Sequence, residues 1–515
     1  LLTFTLKGAE SPWGSLFPEP DSKELGDMIA QICADKSLAI AVGVWQNTLL
    51  MTIGPSLEHV DHLGKGSLLI DHPKLAAVKA ALGSGKQLTS VYYSSEAMGQ
   101  AYDFEYAFDA IPQSIEQALA QTGEIELVRL QTKEFLDALT AELRGFARDI
   151  SDTFSRQGAV VSFSYLAPEG VEGFAMNWRE NKWLDDSAPL ALVRHVGPHP
   201  MAFFIDRSSG GAEQYALIQK WYRRAFDFAE TWAPKSMPEE RVDRVTLILQ
   251  KIRPLVERLD KILAELIIPQ VDDKESALVV DLERARPSWF TAMPATDVAV
   301  PLPSIALLTQ IGERTKIEAA GGELFELAED VVKLIRELDP DALPTDFQLP
   351  RPEVSREGGE TMYAFSLPEE LGVNAALTPH IRLSDSRLAF GYMPEQTAEL
   401  FAAHSPHLFG PAASEQKAMA INFFDNRRLI DGVKAWVDYA AAVGAQNGAR
   451  LEWSGGGESD LLDMTEAEVR QSLDALWEFL KCFHGFSSRS YMASGAQTTH
   501  FLWKFEDRAA SASKE

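Results

Sequence analysis

Short runs of alternating apolar and polar residues interleave along this chain with longer stretches whose apolar residues recur every three or four positions. That is the signature of strands and amphipathic helices packed together. Leu1–Leu6 reads as a strand, and Asp21 and Ser22 cap a helix reaching about Asp35. Leu38–Trp45 and Leu49–Ile53 flank Gln46-Asn-Thr48 as a β-hairpin. Pro55-Ser56 opens a short helix, Pro73 starts another to about Leu82, and Leu88–Tyr93 is strand again. From Leu127 to about Phe154 a helical pattern carries Leu136, Leu139, Leu143, Phe146 and Ile150, and a hairpin of Val160–Leu166 with Gly173–Trp178 follows.

The second half repeats this order. Ile381–Leu383 and Leu388–Tyr392 flank Ser384-Asp385 as a hairpin, and Pro394 opens a helix. Met419–Phe424 is a strand, Leu429–Val443 and Glu466–Phe483 are helices, and Ser487–Met492 with His500–Phe505 is the closing hairpin. Individual residues align as well. Lys86-Gln-Leu-Thr-Ser-Val-Tyr-Tyr93 matches Lys417-Ala-Met-Ala-Ile-Asn-Phe-Phe424, so that Tyr92 falls on Phe423. Leu49, Met51, Ile53 and Pro55 fall on Leu388, Phe390, Tyr392 and Pro394, and Ser164-Tyr-Leu-Ala167 on Ser490-Tyr-Met-Ala493. Five elements in a shared order predict an internal duplication, too short an array for a solenoid and so two globular lobes.

Between the copies the pattern is helical. Gln214 to Trp232 predicts one helix, stopped near Pro234. Glu239 to Ile268 predicts another, kinked at Pro254, with Val245, Ile248, Ile252, Leu255, Leu259, Ile262 and Leu266 on one face. Packing against its own lobes, a helical hairpin and a dimer seam all suit that face. Ser276–Leu282 restarts the strands, a segment spaced by Pro287, Pro294, Pro301 and Pro303 follows, and Leu324 to Leu338 is a further helix. Pro340 to Pro352 reads as an exposed linker and the tail from Ala509 as disordered. The expected fold is α+β, two similar lobes of mainly antiparallel sheet with packed helices. Residues 1–210 form the first lobe, 211–272 a helical connector, and 273–509 the second.

Composition narrows the function classes. With 46% hydrophobic and 24% charged residues, the 515-residue chain reads as a folded, soluble, multidomain protein. A net charge of −27 argues against a nucleic-acid partner, which would need clustered cations, and against docking on an anionic membrane, so neither is expected. The longest apolar run, Leu38–Trp45, is far short of a membrane span. Cys33 and Cys482 sit in apolar helical patterns as free thiols, with a disulfide between them as the alternative if the copies pack together. The first residue is not methionine, so the expectation is that an upstream segment, a signal peptide among the options, has been processed away, trimmed or left out.

Candidate chemistry is sparse. His59-Val-Asp-His62 places two imidazoles three positions apart, with Glu58, Asp61 and His72 as further donors, the raw material of a metal site. No HExxH pattern accompanies them, and His404-Ser-Pro-His407 does not align with them in the repeat, so surface histidines are expected. His195-Val-Gly-Pro-His199 reads as a turn before the strand at Met201–Ile205. Gly83-Ser-Gly-Lys86 is no phosphate loop: Ala80 and Gln87 stand where that loop needs Gly and Ser or Thr. Arg207-Ser-Ser-Gly-Gly211 and Ser454-Gly-Gly-Gly-Glu-Ser459 match neither the nucleophile elbow nor the dinucleotide fingerprint. The expectation is no cofactor and no metal, with His59, His62 and His72 the only metal candidates.

Several strings carry a family resemblance: Leu68-Leu-Ile-Asp-His-Pro-Lys74 before Val91-Tyr-Tyr93, then Ser276-Ala-Leu-Val-Val-Asp-Leu282, Val300-Pro-Leu-Pro303 and Tyr363-Ala-Phe-Ser-Leu-Pro368. In this pattern the chain resembles exported bacterial proteins of unknown function. The resemblance implies export to the periplasm or exterior and a duplicated α+β build, and brings no catalytic residues with it. The expected function is a non-enzymatic binding or scaffold protein with a protein or polymer partner, as monomer or dimer. The rival is a hydrolase of envelope or extracellular polymers, which would show two carboxylates in a deep cleft, whereas a shallow apolar surface would favour partner binding.

Overall fold

Strands from both halves of the sequence join edge to edge in one antiparallel sheet of thirteen. The computed structural model describes residues 2–13, 26, 29–31, 33–45, 48–96, 126–153, 158–179, 183–236, 239–344, 346–404, 416–446 and 466–505. The expected helix caps Asp21 and Ser22, the hairpin residues Gln46 and Asn47, His407, the Ser454–Ser459 loop and the tail lie outside them. The chain divides into two compact units, 1–85 and 86–515.

The first unit holds β1 (Leu2–Lys7), β2 (Ser37–Trp45) and β3 (Thr48–Gly54), antiparallel and in that order, followed by helix α1 (Ala76–Gly83). Successive side chains of a strand point to opposite faces. Ala39 and Ala41 of β2 are buried on one face, whereas Leu2, Phe4, Val44, Leu49, Met51 and Ile53 on the other are exposed.

The second unit begins with β4 (Leu88–Ser94), α2 (Glu126–Thr153), β5 (Val160–Ala167), β6 (Gly170–Asn177) and β7 (Ala202–Arg207). Helices α3 (Gly211–Ser236) and α4 (Glu239–Ile262) lead to β8 (Glu275–Asp281), the two-residue pair β9 (Ala285–Arg286) and β10 (Val300–Pro301), β11 (Ser304–Gln310) and α5 (Arg314–Leu338). Next come β12 (Glu353–Glu357), β13 (Glu360–Ala364), β14 (His380–Leu383), β15 (Arg387–Gly391), α6 (Pro394–Phe401) and β16 (Ala420–Asp425). Helices α7 (Asn426–Gln446) and α8 (Glu466–Leu480) precede β17 (Phe483–Ala493) and β18 (Ala496–Phe505). The sheet order is β12-β13-β14-β15-β11-β8-β7-β16-β17-β18-β6-β5-β4. The fold is α+β. Strand β7, from the expected first lobe, lies between β8 and β16 from the expected second, and the division into units falls after Gly85 rather than at residue 210.

One sheet face carries the core. Phe203 and Ile205, Ala277 and Val279, Ala306 and Leu308, Ala389, and Ile421 and Phe423 pack under Leu190, Leu192, Val193 and Val196 and under Leu400 and Phe401 of α6. The apolar face of α4 packs within the chain. Leu255, Leu259 and Ile262 meet Ala320, Leu324 and Leu327 of α5. Asp260 accepts hydrogen bonds from Tyr215, Gln219 and Arg223 of α3.

Three helical expectations shift. Helix α3 runs through Pro234 to Ser236, two residues beyond the proline expected to stop it. Helix α5 begins at Arg314, ten residues before its apolar periodicity becomes visible. Helix α4 contains Pro254 and continues through a wider π turn at Leu263–Ile267, ahead of Pro269.

The expected correspondence between the two halves can be tested on pairing register. The shift that carries Ser164 onto Ser490 carries the pair Val160–Asn177 of β5 and β6 onto Phe486–Trp503, a pair that β17 and β18 make. Likewise the shift from Leu49 to Leu388 carries Ala41–Thr52 onto His380–Gly391, which β14 and β15 make. For β4 and β16 the match slips by one residue. An irregularity between Leu88 and Ser90 inserts a residue in β4, so Tyr93, opposite Val161, corresponds to Phe423, opposite Ser487. The expected match of Tyr92 with Phe423 is corrected accordingly.

Candidate functional site

The sheet face away from the core carries one continuous cross-strand row. Phe204, Leu278, Leu307, Phe390, Ile381, Tyr363 and Val354 stand opposite one another in turn across β7, β8, β11, β15, β14, β13 and β12. Phe204, Leu278, Leu307, Phe390 and Val354 are between 43% and 56% exposed. Beyond Phe204 the row continues through Asn422, Ser488, Phe501, Gly173 and Ser164, with two buried serines among them. Asn422 donates to Ser488 at 3.0 Å, and the Ser164 hydroxyl sits 2.7 Å from those of Thr89 and Ser90. Ser488 and Ser164 are buried. Polar groups inside and large apolar groups outside, on one row of one sheet, invert the usual partition. The row ends at β12, an edge strand exposed at all five residues.

The opposite face opens at one end into a cleft of about 170 Å³. Its walls come from three places in the chain: Pro198, His199 and Pro200 before β7, then Phe423 and Asp425 with Arg427 and Arg428, then His484 and Lys504 of the closing hairpin. Local sequence explains the middle wall. Asp425 caps α7, its carboxylate accepting from the backbone N–H of Arg427 at 3.0 Å and of Arg428 at 3.3 Å, which fixes both arginines in the first turn. The helix is anchored further on, where Trp436 donates to the Pro301 carbonyl and Tyr439 to that of Pro294. Gly485, at φ 152°, separates Asp425 from Lys504 on their cross-strand row and leaves no side chain between them. Beside the cleft, burial pushes the Glu283 carboxyl above its ordinary range, opposed by His199 and Arg428.

The histidines expected as metal candidates are placed apart from this cleft. His59 and His62 belong to the single turn Glu58–His62, where His59 Nε2 meets the Thr52 hydroxyl. His72 Nδ1 accepts from the Lys74 backbone at the start of Pro73–Leu75. Among the described residues no three metal-ligating side chains converge. Gly85 turns the chain at φ 79°, and the Lys86 ammonium lies 3.5 Å above the Tyr165 ring. His195 contacts Arg387 at 2.6 Å and the Leu400 carbonyl at 3.0 Å. Cys33 and Cys482 are free thiols.

No family model matches the chain, and no curated protein or solved structure is similar to it.

Of the cleft residues, sequence reading named Pro198 and His199 as part of a turn and Phe423 as one of the aromatic pair ending a repeated strand. Arg427 and Arg428 follow a capping aspartate and carry a local signal. His484 and Lys504 carry none, because only closure of the hairpin brings them together. Among the described residues no helix is long and apolar enough to cross a membrane.

Proposed function

We propose that this chain is a non-enzymatic binding or scaffold protein whose partner is a basic protein seated on the exposed apolar row. The observation that carries the reading is the run from Phe204 to Val354, seven residues on seven neighbouring strands, most of them exposed. Exposed contiguous apolar surface of this kind marks interaction sites. The charge of −27 selects a cationic partner and opposes association of two copies. Self-pairing of the β12 edge about Ser355 would also set Glu353 against Glu357 on both sides, which disfavours it. Duplication of one α+β unit belongs to the same reading, supported by the coincident registers of the two pairs of hairpins. Placement in the bacterial envelope or exterior rests on the sequence resemblance.

The competing hydrolase reading needs paired carboxylates or a histidine–acid pair available for chemistry. The cleft at α7 offers one carboxylate in its lining, Asp425, and that group already caps a helix.

The test uses the full chain as bait in its native cells, followed by titration calorimetry with the purified retained protein. The expected result is a basic partner bound stoichiometrically, with affinity reduced about 30-fold by Leu307→Glu or Phe390→Glu. No retained partner, or one bound equally well by both variants, overturns the proposal. A dimer of the chain that Leu307→Glu splits would assign the face to a second copy and also overturn it.

A further inference from the structure

We infer that Arg489 and His500, facing each other across β17 and β18, head a binding site for a small organic carboxylate. Phe174 of β6 is the next residue in their cross-strand row and Phe163 of β5 the one after. Arg489 alternates with Ser488, whose own row runs through Asn422 to Phe204. This site and the apolar partner face therefore lie on opposite faces of the sheet.

A cation without a counterion carries the inference. Among the described residues Arg489 makes no ion pair and no hydrogen bond, and its Nε is buried without a partner. The Tyr491 ring lies 4.7 Å from its guanidinium carbon. Other partly buried arginines of the sheet are satisfied. Arg207 closes on Glu275 at 2.6 Å, Arg382 on Glu360 at 2.9 Å, and Arg387 donates to the Phe401 carbonyl at 3.2 Å. An unmade bond at a buried donor is costly, and a guanidinium gains most from a carboxylate that takes two of its N–H groups side by side.

Neighbouring charges select the ligand. Lys86 lies 3.5 Å above the Tyr165 ring and, among the described residues, also makes no ion pair. Its charge and that of Arg489 both reach His500 and oppose protonation of the imidazole. The Glu172 carboxylate is engaged with His500 Nε2 at 2.6 Å. A monoanion on Arg489 completes this set, whereas a dianion would meet stronger repulsion from Glu172. The Glu172 and His500 side chains are 28% and 20% exposed, which leaves an approach from solvent. Phe174, stacked on His500 at 4.3 Å, offers an aromatic wall to the body of the ligand.

The counterpart positions in the first half are apolar. The shift that carries Ser164 onto Ser490 carries Phe163 and Phe174 onto Arg489 and His500. There the cross-strand pair is two rings stacked at 5.6 Å. A sheet that accepts two aromatic rings at this register does not need a cation and an imidazole in order to fold. This comparison rests on the proposed duplication; the unpaired guanidinium does not.

Calorimetric titration of the full chain with benzoate, and with benzamide as its uncharged analogue, tests the assignment at constant ionic strength. One saturable benzoate site is expected, with benzamide bound about tenfold more weakly or worse. Arg489→Gln and Arg489→Phe should each weaken benzoate by about tenfold or more. Arg351→Gln, at a side chain 81% exposed near the far edge of the sheet, should leave it unchanged. Because phenylalanine stands at the counterpart position, Arg489→Phe is expected to fold and carries the test should Arg489→Gln fail to. Absence of saturation with benzoate up to about 10 mM overturns the site. So does equal binding of benzamide, or benzoate binding that the folded Arg489 variants leave unaltered. Leu307→Glu should bind benzoate as the parent does, which keeps failure of this site distinct from failure of the partner face.

Discussion

Phe174 and His500 stack ring on ring, with centroids 4.3 Å apart and planes 7° from parallel, directly opposite each other on β6 and β18. The shift that carries Ser164 onto Ser490 carries Phe174 onto His500, so each ring faces the position that this shift assigns to it. Antiparallel pairing of β6 with β18 makes the two three-stranded blocks β4-β5-β6 and β16-β17-β18 run outward in mirror order from this pair. The stack is extended by Phe163 on one side and held by Glu172, 2.6 Å from His500 Nε2, on the other. Truncating both rings should therefore be less harmful than the sum of the single truncations. A double-mutant cycle of Phe174→Ala and His500→Ala, followed by urea unfolding, should give a coupling of about 1 kcal/mol. Additive effects would mean that the stack contributes nothing beyond burial.

Burial disfavours the charged form of three histidines, which makes the fold acid-sensitive. Burial lowers the imidazole pKa of His195, His380 and His500, with Arg387 adding to the effect at His195. His380 is fully buried, with Nδ1 2.7 Å from the Thr378 carbonyl and Nε2 2.6 Å from the Thr397 hydroxyl. That arrangement suits the tautomer protonated on Nδ1. A histidine whose folded pKa lies below its unfolded one takes up more protons unfolded, so its contribution is complete above about pH 6.5 and falls as the pH drops towards the folded value. Unfolding followed from pH 8 to pH 5 should show falling stability, and His380→Gln should flatten the slope while lowering stability at pH 8. A slope unchanged in the variant would remove His380 from the account.

Elements closed by local pairing were legible in the sequence, and features closed at a distance were not. The hairpins at β2–β3, β14–β15 and β17–β18 follow from period-two alternation around turn residues. The β12–β13 hairpin was missed because Glu353–Glu357 is a polar edge strand with one large apolar residue, Val354, and so lacks the alternation that signals burial. The exposed row could not be read at all. Leu307 and Leu308 are the same residue type in one strand, and only the packed layer over Leu308 decides which of them is inside. The cleft was illegible for a similar reason, since three separated parts of the chain contribute to it.

Trp289 is fully buried and donates its indole N–H to the Val300 carbonyl at 2.7 Å. Around it pack Leu377, Met393 and Tyr439, which ties the proline-spaced segment to α7. Trp289→Phe should keep much of the apolar contact but leave a buried carbonyl without its donor, costing about 2–3 kcal/mol. Trp289→Ala adds a cavity and should cost about 3–5 kcal/mol. Equal midpoints for the two variants in guanidinium unfolding would show that the hydrogen bond, and not the volume, dominates.

The neighbours Leu307 and Leu308 separate folding from binding within one strand. Leu308 is fully buried and Leu307 is 48% exposed on the other face. Threonine keeps the strand preference of the site while removing apolar volume and adding a hydroxyl. At position 308 that hydroxyl would enter the core beside Ala277 and Ala389, its cross-strand neighbours, and the change should cost about 3 kcal/mol or more. At position 307 the same change loses only partial contact with Leu278 and Phe390 and should cost under about 1 kcal/mol. Thermal unfolding of the isolated chain distinguishes the two. A large loss from Leu307→Thr would mean that the row contributes to folding as a covered surface, and the basis for assigning it to a partner would be gone. A small loss, together with weakened partner binding, would place the apolar row where its exposure suggests, in association rather than in folding.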